Sequence, residues 1–334
     1  MEKENIQGKI LLVIDSKVKY HFGKLINTTF KKSKDQFKTV SIISSEKNKS
    51  FDSIKKIQKV LIENNFGRDS VIVAIGGGII GDIAGFAAST FMRGIKYIQI
   101  PTTLLASVDS SVGGKTGINF NNTKNVIGTF YQPELVVIDI TFFNTLAKDE
   151  MLCGLGEIIK YCFLIDNRFF NFVAKNVENV LNNEPKTIER VIKESIKFKG
   201  GVVEFDEKET GVRKVLNLGH TFAHAFEVQQ QHKLKHGQAV IVGITCSIYL
   251  SYYLQIINLD KLNSYLTLMN IFSKKIKLNF VDNRSLHKIM LRDKKNRGNE
   301  IQFVLVKNVG EIITDVTASN KLVTKSINQT LTHF

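Results

Sequence analysis

The chain reads as two domains of different class: an α/β domain with a mostly parallel sheet over residues 1–147, and a largely α-helical domain over residues 148–334. Three observations predict this. Short β-branched apolar runs alternate with helical patterns as far as about Leu146; helical periodicity then dominates through Phe280; and one of the apolar runs empties into a glycine-rich turn at Gly76. Alternation of strands and helices implies parallel strands, because each helix carries the chain back to start the next strand in the same direction.

Taken in order, Lys9 to Ile14, Thr39 to Ile43, Val71 to Ile75, Tyr97 to Ile100 and Leu135 to Ile138 are compact apolar runs that predict strands. Between the second and third, Ile54, Ile57, Val60 and Leu61 recur at the spacing of one helix face, which predicts a helix over Phe51 to Asn64 with Gly67 as a stop. Gly76 to Asp82 follows the third strand as a turn, and Asp82 to Ala88 continues as a helix. The glycines and lysines from Val108 to Gly117, with Lys124 to Gly128, predict a mobile loop. In the second domain, Ile188, Val191, Ile192, Ile196 and Lys199 mark a helix. Ala239 to Leu254 is apolar but carries Thr245, Ser247 and Ser251 and falls short of the roughly 20 residues of a bilayer span, so a buried core helix is expected. Ile301 to Val306 and Glu311 to Asp315, around Gly310, predict a β-hairpin.

Composition excludes several classes. With 43% hydrophobic and 23% charged residues the chain has the makings of a folded globular protein rather than a disordered one. A net charge of +15 invites a nucleic-acid reading, but the lysines are spread among Glu and Asp, and no zinc finger, RNP-like aromatic motif or dense basic arm is present. A positive field of this size also steers an anionic small molecule into a cleft. Cys153, Cys162 and Cys246 form no CxxC pair and read as small buried hydrophobes in a reducing compartment. The first residues lack the apolar core and cleavage site of a secretory signal, so a cytoplasmic protein with no membrane contact is expected.

The chemistry begins at Gly76, Gly78 and Gly81, which satisfy G-x-G-x-x-G between a strand and a helix. Glycines let the backbone approach an anion, and the first-turn N–H groups of a helix favour a diphosphate, so this turn predicts a nucleotide. The alternative is a tight strand-to-helix connection. Gly114-Lys115-Thr116 looks like the end of a P-loop, but Asp109 stands where that motif needs its first glycine, so the ATPase reading fails. What survives there is a segment with glycines, lysines and an amide suited to an oxyanion. His220 and His224 share one helix face, yet Thr221 excludes the H-E-x-x-H protease mechanism. Together with His236 and Glu157 they offer imidazoles and a carboxylate of the kind that suit Zn2+ or Co2+ and leave positions open for substrate oxygens. Spacing alone leaves surface or hydrogen-bonded histidines as the rival reading.

The ordered segments Gly76 to Asp82, Met92-Arg93-Gly94, Pro101 to Leu105, Asp109 to Gly117, Lys124-Asn125, Gly156 to Tyr161, Lys199 to Glu209, Asn217 to His224, His236-Gly237 and Asp293 to Lys295 resemble the 3-dehydroquinate synthases, the second enzymes of the shikimate pathway. The resemblance covers most of the chain. It implies a dehydroquinate synthase-like fold and a phosphate-eliminating cyclase that depends on NAD and a divalent metal. Its substrate is an anionic sugar acid phosphate, 3-deoxy-D-arabino-heptulosonate 7-phosphate. In that chemistry NAD+ takes and later returns a hydride, so the cofactor is not consumed. Phosphate leaves in between, and ring opening and aldol closure follow.

The resemblance also implies site residues. Glu157, His220 and His236 hold the metal; Lys115, Asn125 and His224 hold the phosphate; Arg93 enters from the second subunit of a homodimer. Lys199, Arg213 and Asn217 hold the carboxylate end, Asp109 and Lys160 line the reacting centre, and Lys294 or Lys295 closes over the substrate. The NAD side comprises Asp15, Glu46, Lys49, Gly78, Ile79, Ile80, Gly81, Asp82, Thr102, Thr103, Lys115, Lys124, Phe142, Phe143, Asn144 and Thr145, and the site is expected in an interdomain cleft. Bland rivals are solvated helix charges for Lys199 and Arg213 and a helix-terminal role for Asp82. Departures from the family pattern are few. Ser45 replaces a glycine, Lys17 an asparagine, Ala223 a glycine and Gly156 an alanine, the last two small-for-small; the strands that usually precede the first one are expected to be missing. The rival enzyme classes are a related sugar phosphate cyclase and a metal-dependent polyol dehydrogenase.

Overall fold

A computed structural model describes residues 8–31, 37–121, 123–209, 211–292 and 300–334. The chain divides into two compact units, Met1–Ala147 and Lys148–Phe334. In the first unit the elements run β1 (Ile10–Asp15), α1 (Ser16–Lys31), β2 (Phe37–Ile42), α2 (Phe51–Glu63), β3 (Val71–Gly76), α3 (Gly78–Thr90), β4 (Lys96–Pro101), β5 (Lys115–Phe120), β6 (Thr123–Phe130) and β7 (Leu135–Val136). The sheet order is β2-β1-β3-β4-β7 with every pairing parallel.

Every residue of β1 and β3 is buried, which is why both read as continuous apolar runs rather than alternating ones. Leu11, Val13, Ile72 and Ala74 pack in one cluster with Ile54, Ile57 and Leu61 of α2 and Ile83, Ala84 and Ala87 of α3. The helix face read from the sequence is therefore the one that covers the sheet. Two expectations change. Helix α3 starts at Gly78, earlier than Asp82, and the expected mobile loop is a two-stranded antiparallel hairpin, β5 with β6. The hairpin gave little strand signal because β6 is exposed along almost its whole length, so no alternation of buried and exposed residues marks it.

The second unit runs α4 (Lys148–Leu164), α5 (Asn167–Leu181), α6 (Pro185–Phe205), α7 (His220–Gln229), α8 (His236–Tyr253), α9 (Leu259–Met269), α10 (Asn283–Leu291), β8 (Phe303–Asn308), β9 (Glu311–Val316) and α11 (Asn320–Leu331). All of α4 from Met151 onward and most of α8 are buried, so these two are the central helices and carry no polar face. Outer helices start at side-chain caps: Asp166 for α5, Asn258 for α9, Asp282 for α10 and Ser319 for α11. Strands β8 and β9 form the expected hairpin, with Gly310 at φ 83° in its turn. Among the described residues no helix is long and apolar enough to cross a membrane, and the three cysteines are free and buried.

In the first unit Tyr97 is fully buried, its hydroxyl donating to the Tyr131 carbonyl at 3.0 Å and accepting from the Gln99 amide at 3.0 Å. Burial pushes the phenol up to about 12. Tyr97→Phe removes the partner of both groups, and we expect a loss of about 1–3 kcal/mol in urea unfolding. An unchanged midpoint would show that water satisfies both groups in solution.

Candidate active site

In the second unit the site is set by close backbone contacts. Helices α4 and α8 cross where Gly156 faces Gly237: a Cβ on Gly156 would lie 2.1 Å from the Gly237 carbonyl oxygen, and one on Gly237 would lie 1.7 Å from that of Cys153. No side chain separates the helices there, so the next residue of α4, Glu157, meets the first residue of α8, His236. Its Oε1 lies 3.1 Å from His236 Nε2. A second contact seats α7. Gly219, at φ 76°, precedes it, and a Cβ on Gly243 of α8 would lie 2.2 Å from the Gly219 carbonyl oxygen. This brings His220 Nε2 to 3.5 Å from the same Glu157 oxygen. One ligand atom from each of Glu157, His220 and His236 lies within 4.8 Å of the others. Gly156 stands where the family pattern has alanine, and in this crossing a methyl group there would require the two backbones to shift apart.

The electrostatics suit a cation. Glu157 is fully buried. Burial works to raise its carboxyl, but the Lys160 ammonium one turn along α4, with the His220 and His236 rings beside the other oxygen, outweighs burial and holds it well below the usual range. Its Oε2 pairs with the Lys160 ammonium, while Oε1 faces both imidazoles. The Leu218 carbonyl, 3.1 Å from His220 Nδ1, can only accept, so Nδ1 carries the proton and Nε2 turns a lone pair to the cluster. Burial lowers His220 to about 4, keeping it neutral. His236 differs. Burial lowers it, but hydrogen bonds to Glu157 and to Glu227, whose Oε1 is 3.0 Å from Nδ1, raise it well above its ordinary value. Two neutral-capable imidazole nitrogens and a carboxylate at these separations fit a divalent metal.

Around this cluster the His224 ring lies 5.5 Å from that of His220 and 6.5 Å from that of His236. Lys199 and Arg213 are both buried, so neither is a solvated helix charge. The Arg213 guanidinium donates to the Glu207 carbonyl, its backbone N–H donates to Asp206 at 3.0 Å, and the Asn217 amide donates to Glu209 at 2.8 Å. Lys294 and its alternative Lys295 lie outside the described residues.

In the first unit the strand order reverses between β1 and β3, and ligands of such sheets bind at the carboxyl ends of the strands flanking that point. Asp15 ends β1 there, its Oδ1 accepting from the Lys17 N–H at 2.7 Å. Gly76 ends β3, and α3 begins with Gly78, Ile79 and Ile80 behind Gly77, which supplies no side-chain cap to the first turn. Thr102 is buried, its N–H bonded to the Gly76 carbonyl at 2.9 Å, while the Thr103 hydroxyl accepts from the Ala106 N–H at 3.2 Å, at the start of the π-turn that carries Asp109.

The buried Lys49 ammonium donates to both Asp82 and Asn125. Asp82 thus pairs with a lysine rather than capping its helix. The turn carrying Glu46 is tied to the hairpin through Asn119, whose amide donates to Glu46 Oε2 at 2.7 Å and whose Oδ1 accepts from the Asn125 N–H at 3.0 Å. Lys115 and Lys124 lie on β5 and β6 with exposed side chains. Phe142 and Phe143 are buried, Phe142 edge-on to Phe22 at 4.8 Å, while Asn144 and Thr145 are exposed. Arg93 is exposed in a turn where Met92, Arg93 and Gly94 all have positive φ, at 48°, 70° and 123°.

Sequence reasoning missed Glu227 and Asn119. Glu227 stands three residues after His224 and seven after His220, the spacing of one helix face, and that spacing was the available signal. Asn119 carries none, since its role arises from hairpin pairing.

Gly156→Ala forces α4 from α8. We expect a loss of about 1–3 kcal/mol in thermal or urea unfolding and substoichiometric metal in the folded fraction. Wild-type stability with full metal content would show that the crossing tolerates a methyl group.

The sequence family described as 3-dehydroquinate synthase N-terminal matches residues 39–153, and its C-terminal counterpart matches residues 154–296. The 3-dehydroquinate synthase of Pelagibacter ubique (strain HTCC1062) is 40% identical over 97% of this chain and 89% of its own length. Among solved structures, 2-deoxy-scyllo-inosose synthase complexed with carbaglucose-6-phosphate, NAD+ and Co2+ superposes with a TM-score of 0.90 at 24% identity, covering 98% of this chain and 92% of that one. A probable glycerol dehydrogenase from Sinorhizobium meliloti 1021 superposes less well, with a TM-score of 0.65 at 14% identity and the same coverage of 98% and 92%. With both halves matched in order and a relative at this identity along nearly the whole length, the chain belongs to the 3-dehydroquinate synthase family.

Proposed function

We propose that the chain acts as a 3-dehydroquinate synthase, converting 3-deoxy-D-arabino-heptulosonate 7-phosphate to 3-dehydroquinate and phosphate. The observation that carries this reading is the buried Glu157 carboxylate between His220 and His236, in a unit that also buries Lys160, Lys199 and Arg213. A polyol carries no anion, so a polyol dehydrogenase has no use for the last two cations. The 40% identity to a dehydroquinate synthase, with Arg213, Asn217 and His224 retained, favours this substrate over that of a related cyclase.

Glu157, His220 and His236 are assigned to a divalent metal, Zn2+ or Co2+, and the first turn of α3 with Asp15, Glu46, Lys49, Asp82, Thr102, Thr103, Lys115, Lys124 and residues Phe142 to Thr145 to NAD. Bound there, the metal supplies Lewis-acid polarisation of substrate oxygens and NAD+ a reversible hydride acceptor. The chain's own task is positioning. Lys160 balances the Glu157 charge and, with Asp109, faces the reacting carbons. Lys199, Arg213 and Asn217 orient the substrate carboxylate, and Lys115, Asn125 and His224 hold the phosphate so that it can take the proton as it leaves. Lys294 or Lys295, outside the described residues, is assigned to close over the substrate. Arg93, exposed on its strained turn, is assigned to the site of the second copy in a homodimer. The compartment proposed is the cytoplasm, with no nucleic-acid or membrane partner.

Purified metal-loaded protein with NAD+ should release phosphate and form dehydroquinate in equal amounts, with no net NADH and with loss of activity on chelation. Accumulation of NADH with a simple polyol, and no phosphate, would replace this reading by the dehydrogenase one. Glu157→Gln should lose bound metal and lower kcat by about 100-fold or more, and full metal content with full activity would show that the ligand set is wrong. Lys49→Met removes the ammonium that Asp82 and Asn125 share beside the α3 first turn and should raise the NAD+ Kd about tenfold in a fluorescence titration. An unchanged Kd would move the nucleotide elsewhere.

A further inference from the structure

Helix α7 presents His220, His224 and Glu227 along one face, and the first two have stated places in the site while Glu227 has none. Its carboxylate, 13% exposed, lies 3.0 Å from Nδ1 of His236, whose Nε2 points at Glu157. The two histidines of the cluster are held in different ways. His220 follows the left-handed Gly219 packed on α8, is nearly buried, and has its Nδ1 proton on the backbone carbonyl of Leu218. His236 is the first residue of α8, follows a turn in which Gln231 and His232 have positive φ, and keeps 32% of its side chain exposed. Its backbone is seated by the Gly237 crossing, but among the described residues no backbone acceptor orients its ring as Leu218 orients that of His220. Glu227 does so.

We propose that Glu227 is a positioning residue for the metal. A carboxylate can only accept, so the Glu227 contact keeps a proton on His236 Nδ1, and Nε2, on the side of Glu157 and His220, is the nitrogen that would give up its proton to a metal. An anionic partner on the far nitrogen also makes the near one a stronger donor to a metal, and loss of such a partner lowers metal affinity about 10–100-fold. Glu227 thus supplies to the His236 ring the orientation that the Leu218 carbonyl supplies to His220. This inference rests on the assignment of Glu157, His220 and His236 as metal ligands.

The test is the Zn2+ dissociation constant of the full chain, measured by competition with a chromophoric chelator, for wild type, Glu227→Ala, Glu227→Gln and His236→Ala. Thermal unfolding of each metal-free protein and the visible spectrum of each Co2+-loaded form accompany it. We expect Glu227→Ala to bind Zn2+ about 10–100-fold more weakly with a shifted Co2+ spectrum. Glu227→Gln, whose amide oxygen still accepts from Nδ1 but carries no charge, should fall between it and wild type. An Ala variant with the wild-type constant and spectrum, or one that loses only thermal stability, would overturn the role of Glu227 while His236→Ala still lost Zn2+. Should the Ala variant fail to fold, the near-isosteric Gln variant decides, and equality with wild type there overturns the proposal. If His236→Ala kept wild-type affinity, the ligand assignment itself would fall and Glu227's role with it.

Discussion

Helices in protein cores are ordinarily held about 8–10 Å apart by their side chains, but α4 and α8 meet backbone to backbone at Gly156 and Gly237, and the rest of the candidate site depends on that contact. It sets how far Glu157 reaches toward α8 and which residue of α8 it meets. The Gly219 and Gly243 contact repeats the device for α7. Three ligand-bearing positions are thereby fixed by backbone, which moves less than a side chain does. The arrangement also uses rigid central helices, buried nearly throughout, as the mount.

Close approach brings together charges that would otherwise be costly to bury. A carboxylate wholly removed from water is stable only when paired and hydrogen-bonded, and Glu157 has Lys160 on one oxygen and two imidazoles on the other. The two imidazoles are not equivalent. One is neutral and tied to a carbonyl; the other sits between two carboxylates and is held charged in the absence of a metal. Such a cluster is prepared for a cation, since a metal can take over the compensating role that the His236 proton plays.

The first unit offers a place suited to an anion by the converse logic. A parallel sheet with its reversal between β1 and β3 leaves strand ends and a helix N-terminus at one place, and Gly77 offers no side chain to fill it. Lys49 is buried there against Asp82 and Asn125, which come from a turn, a helix and a hairpin. That three-way contact ties the hairpin to the glycine turn, while Ile118 and Ile127 pack its other side on the core.

Particular residues show where sequence reading stops. The alternating strands and helices, the buried β1 and β3, the α2 face and the terminal hairpin were legible because each is encoded in local periodicity, and the family pattern named Glu157, His220 and His236. The β5–β6 hairpin was not, because a strand exposed on its faces has no hydrophobic alternation to read. Nor did the sequence reveal that Gly156 lies in backbone contact with α8, that Lys49 bonds both Asp82 and Asn125, or that Glu227 meets His236. Each of those depends on two segments far apart in the chain arriving within a few ångströms of each other. The sequence by itself determined the elements, their burial and the kinds of donor present. Only the tertiary structure decided which donors share an atom's neighbourhood, because helix crossing distance is a property of a pair of backbones and not of either sequence alone.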